Sequence, residues 1–237
     1  MIFSIFGVKF YNIDFNQFIK MKLNGLIVFP SGPGLSNIYS DKIYHKSIKN
    51  SDIAFFDSGF FVLLLRLFKG IKVNKFSGYK FLKLFLNGYN DKNFFVIEAD
   101  KKTAKINRKY LKKHNINVKN KQYIAPLYKK NSYIIDVPLL KIIKKIKPSI
   151  ILINLGGGTQ EILGSYIKNN LKHRPLIICS GAAISFLTKQ QAPITKFFDD
   201  IFLGWFIRII FNPIIFLPRY LLAFKLFFVV LKSKIKN

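Results

Sequence analysis

The sequence predicts an α/β protein with a Rossmann-like, mostly parallel sheet flanked by helices. Two observations carry this prediction. Short apolar runs lack alternating polar residues, which is typical of parallel strands that are covered on both faces. Helical patterns separate these runs, and such alternation implies right-handed crossovers between parallel strands. Because ligands of such sheets bind outside the carboxyl ends of the strands, the loops that follow the apolar runs are the places to look for a site.

The elements follow in order from these patterns. The predicted strands are the continuous apolar runs Leu26–Phe29, Ile53–Phe56, Phe94–Ile97, Tyr123–Ala125, Ile150–Leu155 and Leu176–Cys179. The predicted helices are the intervening segments Ser36–Lys49, Phe60–Phe68, Thr103–Asn115, Val137–Lys147 and Thr159–Leu171. Residues 1–195 are therefore predicted to form the α/β domain. Residues 196–237 are predicted to form a basic, aromatic, helical appendage, broken by prolines and without acidic residues after Asp200.

Composition limits the classes of protein that are possible. The 237 residues, half of them hydrophobic, suffice for one substantial core. Lys and Arg number 39 against 11 Asp and Glu, a net charge of +28 that attracts nucleic acid, anionic lipid or phosphorylated substrates. The single Cys179 excludes an internal disulfide, and the three histidines lack metal-ligand spacing. No charge-free apolar run reaches the roughly 20 residues that span a bilayer.

Two basic segments have alternative interpretations. The helix from Lys101 to Asn115 could bind an anionic surface, but a solvated helix face is favoured because aromatic residues for base stacking are nearly absent; no nucleic-acid partner is predicted. From Tyr220 onward, Lys225, Lys232 and Lys236 fall on one side of a predicted helix, with Leu and Phe elsewhere. An interfacial helix on an anionic membrane surface is favoured over a helix packed on the domain, with Lys225 and Lys232 reaching the headgroups.

Three loops are candidates for chemistry. Asp57 ends a buried strand beside Ser58-Gly59, where a carboxylate suits either a general base or a cap for the helix from Phe60. Ser31 to Ser36 forms a Gly- and Ser-rich turn that could present backbone N–H groups to a diphosphate, or be a plain turn with Ser36 as N-cap. Gly156 to Glu161 is the strongest, because three glycines permit close backbone approach and Gln160 can both donate and accept hydrogen bonds.

These motifs, in this order, resemble the WecG/TagA/CpsF glycosyltransferase family from about Gly25 to Tyr220. The family's loop ending in Pro-x-Gln-Glu is similar to Gly158-Thr159-Gln160-Glu161. The family's Gly-Leu-Glu-Trp-x-x-Arg is similar to the segment from Ile201 to Arg208, in which Trp205 and Arg208 stand at the positions of the family's Trp and Arg. Further correspondences are Asp57-Ser58-Gly59 for Asp-Gly, Gly78-Tyr79-Lys80 for Gly-x-Asp, Ser180-Gly181-Ala182-Ala183 for a glycine-rich turn, Gln191-Ala192-Pro193 for Arg-Ala-Pro, Asn212-Pro213 for Glu-Pro, and Arg219-Tyr220.

The resemblance implies a function. Family members transfer an N-acetylmannosamine-type sugar from a UDP donor to a polyprenyl-diphosphate-linked acceptor at the cytoplasmic membrane face. Asp57 would be the catalytic base, Gln160 would hold the donor, and Arg208 and Arg219 would approach the acceptor diphosphate. The other implied donor contacts are Ser31, Gly156, Gly158, Glu161, Gly181 and Ser185. The protein would be peripheral on the inner face of the membrane. With no Asp-x-Asp motif present, no cofactor and no metal are expected, and the UDP-sugar is a substrate.

Several positions depart from the family pattern. The family's Thr-x-Asn is replaced by Phe29-Pro30-Ser31, its ribose-binding aspartate by Ser185, and its Gly-Gly after the central strand by Glu98-Ala99. Two interpretations follow: an active transferase with altered donor specificity, or a divergent, non-catalytic or weakly active member that binds a membrane or a partner. The presence of Asp57, Gln160 and Arg208 favours the active transferase.

Overall fold

The computed structural model describes residues 1–21, 24–91, 93–190, 209–210 and 212–236, with the backbone alone at 215, 216, 219 and 220. The strands in this part of the chain are β1 Ile2–Ile5, β2 Val8–Tyr11, β3 Gly25–Val28, β4 Ile53–Phe55, β5 Phe94–Glu98, β6 Gln122–Ile124, β7 Ile150–Asn154, β8 Leu176–Cys179 and β9 Ile235–Lys236. The helices are α1 Phe15–Lys20, α2 Gly32–Ser36, α3 Lys42–Lys49, α4 Gly59–Lys69, α5 Gly78–Gly88, α6 Lys101–Lys112, α7 Val137–Ile146, α8 Thr159–Asn170, α9 Ala183–Leu187, α10 Pro213–Ala223 and α11 Lys225–Lys232.

These strands form one mixed sheet in the order β6-β5-β7-β8-β3-β4-β2-β1-β9. The seven strands from β6 to β2 are parallel, whereas β1 pairs antiparallel with both β2 and β9. The central strands β3, β4, β5, β7 and β8 are buried along their whole length. The predicted α/β class with a mostly parallel sheet flanked by helices is confirmed.

Apolar side chains form a core on each face of the sheet. One cluster joins alternate strand residues such as Ile97, Ile153 and Cys179 to α3, α4, α7, α8 and α11. The other joins Val96, Leu152 and Ile178 to α1, α5, α6 and α9. We call these the first and the second face. The helices after β5 and β8 therefore pack on the second face, while those after β3, β4 and β7 pack on the first.

Most predicted elements are present, with three differences. The predicted helix Ser36–Lys49 is two helices, because Ser31 caps α2 and Asp41 caps α3. Ser36 is the last residue of α2 and not an N-cap, so that interpretation is wrong. Helices α1, α5 and α9 and the β1–β2 hairpin were not predicted. The hairpin turns at Phe6 and Gly7, which both have positive φ angles as two-residue hairpin turns require.

The C-terminal helices pack against the first face. Leu226 and Val230 of α11 are fully buried in its core, and Phe227 contacts Phe68 of α4 edge-on. The chain then returns to the sheet, where β9 pairs with β1, so Lys236 lies in a strand and not in the predicted helix. None of the helices in the described ranges is long and apolar enough to cross a membrane.

Candidate active site

Three loops at the carboxyl ends of β3, β4 and β7 converge. A Cβ atom added to Gly32 would lie 3.0 Å from Ser58 Oγ, and one added to Gly157 would lie 3.8 Å from Ser31 Oγ. A Cβ atom on Gly34 would lie only 2.7 Å from the hydroxyl of Tyr44, a buried residue of α3. Glycine at these turns therefore lets the loops approach each other at the edge where α/β sheets bind ligands.

Asp57 lies at this edge, two residues after β4. Its Oδ1 accepts a hydrogen bond of 2.8 Å from the backbone N–H of Gly78, the first residue of α5. The N-cap of α4 is Ser58, whose Oγ accepts a hydrogen bond from Phe61 N. The alternative in which Asp57 caps this helix is therefore wrong. Asp57 instead binds the N-terminus of α5, and this contact fixes the direction of its carboxylate.

Gln160 and Glu161 hold the glycine-rich loop from within the protein. Gly158, with φ of +92°, is the N-cap of α8, and its N–H donates to Glu161 Oε2 at 2.7 Å. Glu161 therefore caps the start of α8. Gln160 Nε2 donates to Glu161 Oε1 at 3.0 Å, and Gln160 Oε1 accepts from Gly181 N at 2.8 Å. One side-chain amide thus joins the β7–α8 loop to the turn after β8.

The electrostatics of this region are dominated by burial. Glu161 is almost fully buried, and desolvation raises its pKa to about 7, with a further contribution from the negative charge of Asp57. The same two carboxylates add to the effect of burial in raising the pKa of the Tyr44 phenol. Asp57, Glu161 and Tyr44 therefore share one electrostatic environment behind the converging loops. Cys179 is buried and donates to the Gln160 carbonyl at 3.2 Å, as expected of a core residue.

The remaining predicted donor residues lie around this edge. Ser31 is the N-cap of α2 and is half-buried, with its Oγ accepting from Gly34 N at 3.4 Å. Gly156 is exposed, and nothing lies within 4 Å of a Cβ placed on it. Gly181 has a positive φ of +64° in the turn after β8, and Ser185 is half-buried on α9. The structure thus places Asp57, Ser31, Gly181 and the loop from Gly156 to Glu161 at the carboxyl ends of β3, β4, β7 and β8, and Ser185 follows on α9.

The predicted acceptor and membrane residues are only partly visible. Arg208, Trp205 and Gln191-Ala192-Pro193 lie outside the described residues, and for Arg219 only its position on α10 is described. Lys225 and Lys232 are exposed at the two ends of α11. Phe224 and Phe228 are 54% and 62% exposed, whereas Phe227 is partly covered. Helix α11 thus packs on the domain with one side and exposes apolar and basic residues on another.

Three polar residues at the same edge were not among the predicted site residues. Glu98, Asn154 and Ser180 each follow the last apolar residue of a central strand, and all three are buried. Burial raises the pKa of Glu98 to about 7, against the lowering effect of Asn107 and of the neighbouring Asn154. Within the described ranges, no group of three or more His, Cys, Asp or Glu residues could hold a metal ion. The signal that could have revealed the three residues is their shared position at the ends of apolar runs.

Comparison with known proteins gives one family. The model of the glycosyl transferase WecG/TagA/CpsF family matches residues 3–237, nearly the whole chain. No curated protein sequence matches the chain significantly.

Proposed function

The chain belongs to the WecG/TagA/CpsF glycosyltransferase family, and on that premise we propose that it transfers a sugar from a UDP-sugar to a polyprenyl-diphosphate-linked acceptor. Family membership supports glycosyl transfer in cell-surface polysaccharide synthesis, with a nucleotide sugar and a glycan acceptor as partners in general. An N-acetylmannosamine-type sugar is the proposed group, and the inner face of the cytoplasmic membrane is the proposed place.

The observation that carries this proposal is the position of Asp57. Its carboxylate lies at the carboxyl end of a central strand, beside the glycine loops, and is oriented by the Gly78 N–H at 2.8 Å. As the acceptor hydroxyl attacks the anomeric carbon, Asp57 takes its proton. The bond from that carbon to the diphosphate breaks, and UDP leaves with the electron pair. Fixing the base in one direction removes part of the orientational cost of the reaction.

The donor is proposed to lie against the loops that follow β3, β7 and β8. Exposed Gly156 and Gly157 permit close approach of a diphosphate, and the half-buried Ser31 and Ser185 are proposed to contribute their hydroxyls. Gln160 is 2% exposed and bonded to Gly181 and Glu161. Its proposed contribution to donor binding is therefore to set the relative position of the two loops that touch the donor.

The acceptor is proposed to approach from the C-terminal segment. Arg208 and Arg219 remain the proposed contacts for its diphosphate, because guanidinium groups form charge-assisted, bidentate bonds with phosphates. Exposed Lys225 and Lys232 at the ends of α11, with exposed Phe224 and Phe228, support peripheral contact with an anionic membrane. The reaction is proposed to need no metal ion.

A transfer assay tests the function. Purified protein receives UDP-N-acetylmannosamine or UDP-N-acetylglucosamine, together with a polyprenyl-diphosphate-linked sugar, with and without EDTA. We expect transfer from the N-acetylmannosamine donor in both conditions. Donor binding without turnover would favour the alternative of a non-catalytic member, and transfer that EDTA abolishes would contradict the metal-independent mechanism.

Vesicle flotation tests the membrane contact separately. Phe228→Ser should reduce flotation with anionic vesicles, because it removes an exposed aromatic side chain of α11. Leu127→Ser is the matched control, since Leu127 is also an exposed apolar residue but lies in the loop between β6 and α7. Equal flotation of both variants and the unchanged protein would contradict a membrane role for α11.

A further inference from the structure

Three buried polar side chains form a row across the sheet at its carboxyl edge. Glu98 of β5 is the direct register partner of Asn154 of β7. The pairing of Leu152 with Ile178, two residues earlier, places Asn154 level with Ser180 after β8. Residues two apart on a strand point to the same side of the sheet. Since Val96, Leu152 and Ile178 belong to the core of the second face, all three polar side chains point toward that face.

One end of this polar row is fixed by hydrogen bonds. Asn107 of α6 is fully buried, and its Nδ2 donates to both carboxylate oxygens of Glu98, at 3.2 and 2.9 Å. Gln190 Nε2 in turn donates to Asn107 Oδ1 at 3.1 Å. These contacts hold Glu98 beside Asn154 and make the row a rigid feature of the fold.

The other end of the polar row is unsatisfied. Asn154 is 9% exposed and Ser180 is 7% exposed. Within the described part of the protein, Asn154 Oδ1, Asn154 Nδ2 and Ser180 Oγ make no hydrogen bond of normal distance and angle, although Asn154 lies close enough to Glu98 to lower the pKa of its carboxyl group. A buried polar atom without a partner is costly, and such atoms in native proteins call for a ligand, a water molecule or a functional role. Three of them side by side at one sheet edge indicate a binding site.

The topology places this row in a crevice of the kind that binds nucleotides. After β5 and β8 the chain passes to the second face, whereas after β7 it passes to the first, so the connections diverge on either side of Asn154. Divergence of this kind opens a crevice outside the carboxyl ends of the strands. Exposed residues border the row at Ala99-Asp100 and at Gly156-Gly157.

We propose that Asn154 and Ser180 bind the Watson–Crick edge of a pyrimidine base, an assignment that rests on the proposed use of a nucleotide-sugar donor. The unpaired atoms are an amide donor, an amide acceptor and a hydroxyl. Uracil presents a carbonyl, an N–H and a second carbonyl in a line. Asn154 Nδ2 donates to O4, Oδ1 accepts from N3–H, and the Ser180 hydroxyl donates to O2. Adenine lacks the third polar group on this edge.

The test compares nucleotide affinity and stability in matched variants. Asn154→Leu and Ser180→Ala should each weaken UDP binding by about tenfold or more, because each removes bonds made only to the base. The affinity for ADP, which carries the same diphosphate, should stay unchanged. The melting temperature of ligand-free Ser180→Ala should stay the same or rise, because a buried unpaired hydroxyl is removed. Isothermal titration calorimetry and thermal unfolding provide these values.

Ser165→Ala is the control. Ser165 is another buried serine, on α8, but its Oγ accepts from Asn50 Nδ2 at 2.9 Å. This variant should lower the melting temperature and leave UDP affinity unchanged. If Asn154→Leu does not fold, Ser180→Ala decides the question alone.

Four outcomes would overturn the proposal. If the folded variants bind UDP as tightly as the unchanged protein, base recognition by Asn154 and Ser180 is refuted, whereas the proposed transferase function is unaffected. Equal losses of affinity for UDP and ADP would also refute base recognition. So would a loss of affinity for the UDP-sugar without a loss of affinity for UDP. Failure of the unchanged protein to bind any nucleoside diphosphate overturns the donor class together with the base site.

Discussion

Replacing Glu98 by Gln should change how stability depends on pH. Glu98 is fully buried, and burial raises the pKa of its carboxyl group from 4.5 to about 7. In that interval the folded protein holds a proton that the unfolded chain releases, so the free energy of unfolding falls as pH rises from about 4.5 to 7 and levels off above. The Gln side chain cannot ionise, and its oxygen can still accept the hydrogen bond from Asn107 Nδ2.

The size of the effect follows from the pKa. A rise from 4.5 to about 7 corresponds to about 3 kcal/mol of stability that is present at pH 4.5 and lost at pH 8. The free energy of unfolding of Glu98→Gln, minus that of the unchanged protein, should therefore increase by about this amount from pH 4.5 to pH 8. Urea unfolding curves at the two pH values measure this difference. Glu161→Gln should show a gain of the same sign, since the pKa of Glu161 is also about 7. A stability difference that does not vary with pH would refute the reasoning.

Three further predictions concern the supports of the site. Gly158→Ala should cost about 1–3 kcal/mol and weaken UDP binding, because φ is +92° there; unfolding curves and calorimetry measure both, and an unchanged stability contradicts the strain. Gly164→Ala should cost about 1–3 kcal/mol in urea unfolding, because its Cβ would lie 2.8 Å from Cys179 Sγ; a neutral result would mean that the core relaxes. Asp136→Asn should lower the free energy of unfolding by about 2–3 kcal/mol in the same assay, because the Asp136 carboxylate accepts hydrogen bonds from two tyrosine hydroxyls and caps α7. The bond from Tyr128 is 2.6 Å long. A loss below about 0.5 kcal/mol would contradict this role.

The parallel core of the fold could be predicted because its strands are continuous apolar runs. Ile150–Asn154 and Leu176–Cys179 are buried on both faces, so their sequence carries one signal without interruption. The β1–β2 hairpin also carries a signal, with Phe3, Ile5, Val8 and Phe10 buried in alternation around Phe6-Gly7. That signal is an apolar residue at every second position, which a search for continuous apolar runs does not detect.

The site was predictable in part for a related reason. Asp57 and the loop from Gly156 to Glu161 end buried strands, so their position at the ligand-binding edge follows from the fold class. The role of Gly78 depends on α5 returning to the end of β4, a contact between distant parts of the chain that no local pattern encodes. Whether the side-chain atoms of Asn154 and Ser180 have hydrogen-bond partners depends likewise on residues that are distant in the sequence.

A comparison of the two aspartates at the ends of β4 tests the central claim most directly. Asp57→Asn keeps an oxygen that can accept from Gly78 N but cannot take a proton, so kcat for sugar transfer should fall roughly 100- to 10,000-fold with UDP affinity unchanged. Asp52 lies at the amino end of β4, where its Oδ2 accepts from Leu26 N and pairs with Lys168. Asp52→Asn should lower the stability and leave kcat unchanged. An undiminished kcat in Asp57→Asn, or equal losses in both variants, would contradict the account.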